Sequence, residues 1–408
     1  MTTSPAAAQN ARALKRASRP LARARQRVLV VGAGIAGSAT AFMLARSGYD
    51  ATIIDAAQAP YEGGYQILLD PTALEIMEQL GVQDIALELS APDPLVSLRR
   101  NGSEKAEFEM TGYRMARRGD LVGRLSTRFA ESVPTEFGKE LVGIEQRLDG
   151  VRAHFANGSS DDYDFIVGAD GLNSTVRRLT MESTRSTIHT NGRICLWVNV
   201  PGHLEGPSDA AVLTGNRLGA LVFPYPDKDE TLVVTAVQMG ARHRFDAADL
   251  QPLAADLLAG SGSDLAHFVD ALRHAPREQT RVTSFAQVRA PRWHSRRVVL
   301  VGDAAHCIDP LSGLGAHGGL LGGSILAQEL RRTPQDFDRA AERYQRRTRR
   351  FVSAAQRVTA GLMELATAKG VGDRLHGVSE LAQGIGRARQ VRAPRALYAR
   401  DDAARTRR

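Results

Sequence analysis

Three short segments hold the residues of this chain whose types and spacing point to chemistry. The first is Gly32-Ala33-Gly34-Ile35-Ala36-Gly37. It follows the β-branched run Val28-Leu29-Val30-Val31 and opens a stretch with helical apolar spacing at Ile35, Ala39, Phe42 and Met43. Gly32 allows a tight strand-to-helix turn, Gly34 lets the backbone approach a pyrophosphate, and Gly37 lets helix and strand pack closely, with Ala36 in the same turn. A helix N-terminus placed there offers unpaired N–H donors and a favourable dipole to phosphates. Asp55 ends the following strand, 23 residues after Gly32, where a carboxylate can accept hydrogen bonds from a ribose. A glycine-rich packing turn is the alternative. The strand before, the helix after, and Ala41, Leu44, Gly48 and Asp55 in register favour dinucleotide binding.

That fingerprint does not separate FAD from NAD, and two later segments bear on the choice. Phe165-Ile166-Val167-Gly168 reads as a buried strand running into the turn Ala169-Asp170-Gly171 and a helix start. Val298-Val299-Leu300-Val301 is another, ending in Gly302-Asp303 and followed by Gly313-Leu314-Gly315 and a helix over 318–332. Ligands of such sheets lie outside the carboxyl ends of the strands, where Asp303 falls. No second GxGxxG occurs, which weighs against a protein with two dinucleotide domains.

The other reactive side chains have plainer readings. His306 sits inside the Gly-Asp segment and reads as structural sooner than as an acid or base, and Cys307 as a small buried residue. Arg177 fits a helix-surface ion pair or a nucleotide contact equally. Trp197 shares a strand face with Cys195 and Asn199, opposite Leu196 and Val198. Trp197, Phe223 and Tyr225 suit stacking on an aromatic substrate as well as they suit core packing. His243, between two arginines, reads as a solvated turn. No cluster of His and carboxylates suggests a metal, and no catalytic base is identifiable.

These segments need elements to hold them. Residues 27–55 form a βαβ unit, 72–89 reads as helix, 94–109 as a hairpin around Asn101-Gly102, and 119–131 as helix. Residues 140–156 are a second hairpin. Strands at 193–200, 210–214, 218–223 and 231–238 suggest a separate sheet, followed by helices near 247–259 and 264–273. Strands 281–289 and 297–301 and a long helical pattern over 338–369 complete the chain. The expected class is α/β, a Rossmann-like domain interrupted by a β-sheet domain, with a helical C-terminal region. The expected units are a basic disordered arm (1–26), a discontinuous dinucleotide domain (27–182 and 281–345), a substrate domain (183–280), and C-terminal helices with a basic tail (346–408). Strands 94–109 are open to either sheet.

With 408 residues the chain exceeds the ~250–300 at which one core stops growing. At 43% hydrophobic and 24% charged it is not a mostly disordered chain. The net charge of +8 invites a nucleic-acid reading, but residues 1–26 carry +6 and residues 331–408 carry +11, leaving 27–330 at −9. No basic groove runs through the body, so nucleic acid is not an expected partner. No apolar run of 18 residues spans a bilayer, and the N-terminus lacks the apolar core of a secretory signal. Two cysteines fit a reduced, cytoplasmic protein.

In order and spacing, the three segments resemble the signatures of the single-component (group A) FAD-dependent aromatic monooxygenases of the para-hydroxybenzoate hydroxylase type. The resemblance covers residues 27–350. Gly63-Gly64-Tyr65-Gln66-Ile67-Leu68-Leu69 and Arg118-Gly119-Asp120-Leu121 look like the tetracycline-inactivating branch and related hydroxylases of antibiotic biosynthesis. The resemblance implies FAD as cofactor in the α/β domain and NAD(P)H as co-substrate without a domain of its own. It implies O₂ and a bulky aromatic or polyketide-like small molecule as substrates, in secondary metabolism or antibiotic modification. It implies that Gly302 and Asp303 meet the ribityl chain, Asp55 the adenosine ribose and Arg118 the FAD, while the Asp170 segment bears on flavin and nicotinamide nucleotide. The loop from Pro310 through Gly313 and Gly315 to Ala316 would pass the isoalloxazine ring with its backbone. Two departures stand out: Gly315-Ala316-His317 where Gly-Met-Asn or Gly-Val-Asn is common, and Gly322 where an acid is common. A halogenase would need a Trp-x-Trp pair, whereas Trp197 and Trp293 are 96 positions apart. The remaining alternative is a flavoprotein using FAD structurally or as a non-redox cyclase.

Overall fold

The computed structural model describes residues 25–60, 66–100, 103–181, 187–203, 209–215, 218–225, 228–238, 247–259, 266–276, 280–309 and 313–366. Residues 1–24 of the expected arm (1–26), Gly63 to Tyr65, the Asn101-Gly102 turn, His243, Pro310 and the tail beyond 366 lie outside the described residues.

Strand Arg27–Val31 sits in the middle of a six-stranded sheet. It pairs in parallel with Asp50–Asp55 on one side and Phe165–Gly168 on the other, and Phe165–Gly168 pairs in parallel with Val298–Leu300. These runs are apolar without alternation because both faces are covered, and Val28, Leu29, Val30, Ile166, Val167 and Val298 are fully buried. The chain leaves the central strand toward opposite edges, so the carboxyl ends of Arg27–Val31 and Phe165–Gly168 flank a switch in strand order, the place where such sheets take ligands.

Helix Ile35–Arg46 packs on helix Gly315–Arg332 through small residues. A Cβ added at Gly319 would lie 2.9 Å from the Ala36 Cβ, and one at Gly323 would lie 2.3 Å from the Thr40 Oγ1. The two backbones approach too closely for any side chain there. The last helix, Phe337–Ala366, closes over the same end of the chain. The Tyr344 hydroxyl donates to Leu300 O (2.9 Å), Gln345 Oε1 accepts from Trp293 N (2.7 Å), and Gln356 Nε2 donates to Val288 O and Cys307 O. Glu329, buried, receives Arg332, Arg343 and Arg347 and ties the two helices together.

The second large sheet has seven strands in the order Thr280–Val288, Ile188–Pro201, Glu230–Gln238, Leu218–Pro224, Ala210–Gly215, Leu95–Arg100 and Ser103–Glu109. Alternation along these strands builds two faces. Leu196, Val198 and Val200 pack with Leu258, Phe268 and Leu272 of helices Ala247–Ala259 and Ala266–His274. Cys195, Trp197, Tyr225, Leu232, Val234 and Phe285 form the opposite face. Strands 95–100 and 103–109 therefore belong to this sheet, through parallel pairing of Leu95–Arg100 with Ala210–Gly215. Strand Thr280–Val288 also belongs to it, by antiparallel pairing with Ile188–Pro201. Strand 281–289, expected with the dinucleotide unit, is thus held in this sheet by backbone hydrogen bonding against 188–198.

A small sheet bridges the two units: Gln66–Leu69 and Ser90–Pro92 both pair with Arg114–Arg117. Sequence periodicity merges 72–89 into one helix, but it breaks at Gly81, whose φ of +72° ends helix Pro71–Leu80 before Gln83–Leu89 begins. Asp70 starts the first of these, its Oδ1 accepting from Ala73 N at 2.8 Å with Pro71 at the first helical position.

Candidate active site

The carboxyl ends of the parallel strands bring Gly32, Asp55, Gly168 and Gly302 to one edge. Gly32 N donates to Ile54 O (2.8 Å), Ala169 N to Val31 O (2.7 Å) and Val301 N to Gly168 O (2.9 Å), so the three motif-bearing turns are hydrogen-bonded side by side. Gly34 is the first cap of helix Ile35–Arg46, with no side chain capping it, and a Cβ added there would meet nothing within 4 Å. Gly37, by contrast, would place a Cβ 1.9 Å from Gly32 O. The turn is tightly packed at Gly37 and open at Gly34, where the first N–H groups of the helix begin.

Asp55 is half-buried beside that turn. Its Oδ2 accepts from Ala33 N (2.8 Å) and its Oδ1 from Ala57 N (2.9 Å), which fixes the carboxylate and leaves a lone pair on each oxygen. Asp170 is engaged differently. Oδ1 accepts from Ser174 Oγ (2.5 Å), and Oδ2 from Thr175 N (2.6 Å) and Val176 N (3.0 Å), so it organises the start of helix Thr175–Thr180.

Asp303 is exposed to solvent, yet protein surrounds it closely enough that lost solvation raises its carboxyl above the ordinary range, with Arg118 pulling it back. Arg118 opens helix Arg118–Ala130 and supplies the nearby positive charge. Gly302, at φ +57°, turns the chain into Asp303, and a Cβ on it would sit 2.7 Å from the Ala36 Cβ. Ala36 is thus held between Gly302 and Gly319.

The glycine-rich helix starts at Gly315, three residues earlier than its apolar pattern suggests. Its cap, Leu314, contributes no side-chain hydrogen bond, and a Cβ on Gly315 would meet nothing within 4 Å. Gly313 lies against Leu68, whose Cδ1 would be 3.1 Å from an added Cβ. Ala316 is buried. Leu68 in turn packs on the cluster of Val96, Met115 and Ala210, against which Val212 and Phe223 also rest. This chain of contacts joins the Gly313 turn to the second sheet.

Of the three aromatics on that sheet, Phe223 is half-buried, while Trp197 and Tyr225 are 7% and 3% exposed. Trp197 Nε1 donates to Thr283 Oγ1 (2.7 Å), Tyr225 Oη donates to Asn199 Oδ1 (3.3 Å), and the Arg117 guanidinium lies 4.6 Å from the Tyr225 ring centre. Trp197 and Tyr225 therefore make the packed layer, and Phe223 reaches the junction with the Gly313 turn.

Several neighbours of the site were not legible as such. Arg177 is neither a surface ion pair nor open: it is 7% exposed, and donates to Ala304 O (2.7 Å) and Leu172 O (2.6 Å). Burial lowers its pKa. His306 is buried against Trp293, 4.7 Å between ring centres, and desolvation pushes its pKa down to about 4. It is neutral and its Nε2 has no protein partner. Burial pushes the Cys307 thiol up, so it is no thiolate nucleophile. His317 donates from Nδ1 to Asp70 Oδ2. Only the His317 substitution and the Asp70-Pro71 cap hinted at that pair. Among the described residues no group of three or more His, Cys, Asp or Glu could hold a metal, and no helix is long and apolar enough to cross a membrane.

The uncapped helix start at Gly34, the fixed carboxylate of Asp55 and the acid at the strand end, Asp303, together suit a dinucleotide on a mixed α/β fold. The comparisons agree. The FAD binding domain model matches residues 25–330. The chain is 30% identical over 383 residues to the FAD-dependent monooxygenase asL6 of Sarocladium schorii, covering 85% of this chain and 90% of that one. Its fold is shared with the tetracycline destructase Tet(55) (TM-score 0.75, 23% identity, 91% of this chain and 98% of that one). It is shared also with Klebsiella pneumoniae HpxO, solved with FAD and uric acid (TM-score 0.74, 22% identity, 90% and 96%). The chain belongs to the FAD-binding monooxygenase family, as an FAD-dependent monooxygenase of group A.

Proposed function

We propose that this enzyme uses NAD(P)H and O₂ to hydroxylate a bulky aromatic or polyketide-like small molecule. The observation that carries the reading is the apolar junction of Leu68, Met115, Val212 and Phe223, which connects the Gly313 turn to the aromatic face of the seven-stranded sheet. A flat, electron-rich substrate resting there lies against rings on one side and the flavin turn on the other.

The turns are open where FAD would lie: a Cβ added at Gly34 or Gly315 would meet nothing within 4 Å, and Asp303 is exposed beyond its strand end. The N–H groups at Gly34 would take the pyrophosphate, Asp55 the adenosine ribose, Asp303 and Arg118 the ribityl region, and the backbone from Gly313 to Ala316 the isoalloxazine edge. Bound FAD supplies the redox chemistry, accepting electrons from NAD(P)H and activating O₂ for insertion of one oxygen atom. The protein's task is to orient the substrate carbon and exclude water. Arg177 and Asp170 hold the turns on which that orientation rests. Cys307, kept protonated, and His306, kept neutral, place no added charge beside them.

The test is stopped-flow reduction across a panel of phenols and polyketides, with mass spectrometry after ¹⁸O₂ turnover. One labelled oxygen atom in the product supports hydroxylation. Product formed without O₂ or NAD(P)H supports a cyclase instead.

A further inference from the structure

His317 and Asp70 form a nearly buried pair, 7% and 12% exposed at the side chains, where three elements meet. His317 lies in the first turn of helix Gly315–Arg332. Its ring stacks on Phe351 of the last helix, centres 4.2 Å apart and planes within 8°. Its Nδ1–H donates to Asp70 Oδ2, while Asp70 Oδ1 holds Ala73 N at the start of helix Pro71–Leu80. Asp70 directly follows strand Gln66–Leu69, and Leu68 of that strand is the contact of Gly313.

The first five residues of the glycine-rich helix are therefore gripped at two points. On the nucleotide side Gly319 rests on Ala36. On the substrate side His317 is held by Asp70. Between them the N–H groups of the turn have no side-chain cap from Leu314. A helix start lacking its own cap needs an outside grip to keep one orientation. A charge-assisted hydrogen bond in a nearly dry setting is a strong one.

We propose that the Asp70–His317 pair is a positioning device for the flavin, setting the orientation and the local charge of the turn at Gly315–Gly318. The inference rests on the flavin reading above and goes beyond it, since it assigns this role to two side chains outside the dinucleotide motifs. His317 supplies the donor to the Asp70 carboxylate, so replacing His317 leaves that carboxylate's charge without its hydrogen bond near the turn. That charge opposes reduction of bound flavin, which adds negative charge. Removing the charge from the other side favours reduction.

The variants separate the hydrogen bond from ring packing. His317→Phe keeps the stack on Phe351 and loses the donor. His317→Asn loses the stack and keeps an N–H near the Nδ1 position. Asp70→Asn keeps an oxygen for Ala73 N and loses the charge. Each is purified, checked for folding by circular dichroism, assayed for FAD affinity, and titrated spectroelectrochemically for the flavin midpoint potential. His317→Phe is expected to lower the potential and weaken FAD about tenfold, His317→Asn to lie near wild type, and Asp70→Asn to raise the potential. Unchanged potentials in both His317→Phe and Asp70→Asn overturn the inference, and so does His317→Asn being as impaired as His317→Phe. A wild-type protein that binds no FAD overturns the flavin reading itself, a separate result visible before any variant is made.

Discussion

The buried guanidinium of Arg177 donates to the carbonyl of Ala304, 127 positions along the chain, at 2.7 Å. A second bond to Leu172 O spans the other motif turn. One side chain thus binds the Asp170 turn to the helix that begins at Asp303. Lysine cannot make two divergent bonds from a planar fork. Arg177→Lys and Arg177→Met should each lower unfolding free energy by about 2–3 kcal/mol in urea titration and weaken FAD binding, Met the more strongly. Stability and flavin content equal to wild type in both variants would remove Arg177 from the site's framework.

Asp303 stands at a strand end in a crevice, not in the apolar core. Asp303→Ala should therefore lose flavin while keeping its fold, read as bound-flavin absorbance per protein beside circular dichroism. Retention of full flavin content would show that the carboxylate faces something else.

Gly302 combines φ +57° with an absent Cβ that would lie 2.7 Å from Ala36 Cβ. Gly302→Ala should cost roughly 2–4 kcal/mol from backbone strain and overlap together. Adding Ala36→Gly removes the overlap and leaves the strain, so the double variant should recover part of the loss in thermal unfolding. Additive losses would refute the contact.

How much of this was readable beforehand depends on the range of the interactions involved. The turns at Gly32 and Gly302 and the strands carrying them were legible, because glycine spacing and continuous apolar runs are local signals. The start of the glycine-rich helix was placed late, since Gly315 and Ala316 carry no apolar periodicity. The break at Gly81 was missed because the apolar spacing continues across it. The sequence leaves Arg177 equally open to a helix-surface ion pair or a nucleotide contact, since its partners at Ala304 and Leu172 are backbone carbonyls with no side-chain signature. The pairing of strand 280–288 into the second sheet is not visible in sequence, because pairing with residues some 90 positions earlier leaves no local mark. The Asp70–His317 pair joins positions 247 apart, and only the fold brings them together.

His306 gives the protein a built-in acid sensitivity. Its folded pKa is depressed from 6.5 to about 4 by burial. Above pH 6.5 both folded and unfolded forms are neutral and nothing is lost. Below 6.5 the unfolded chain takes the proton first, so stability falls progressively toward pH 4, by about 3 kcal/mol in all. His306→Phe retains a ring against Trp293 and removes the titration. Its urea-unfolding free energy should decline less than that of wild type between pH 7 and pH 4.5, and parallel declines would contradict a buried neutral imidazole.

Phe223 belongs to the aromatic face of the seven-stranded sheet and also touches the cluster containing Leu68, the contact of Gly313. Trp197 and Tyr225 have their polar atoms engaged with Thr283 and Asn199 and lie deeper in the layer. Truncating Phe223 should therefore act on substrate placement, and truncating Trp197 chiefly on stability. For Phe223→Ala the expectation is unchanged flavin content, a KM for the preferred aromatic raised about tenfold, or ~1.4 kcal/mol, and more NAD(P)H consumed per product as water enters. Trp197→Ala should lower the melting temperature, since it empties a packed position and leaves the Thr283 hydroxyl without its donor. Steady-state kinetics paired with calorimetry separates the two effects. The assignment of Phe223 to the substrate surface fails if its truncation moves the melting temperature and leaves KM and coupling at wild-type values.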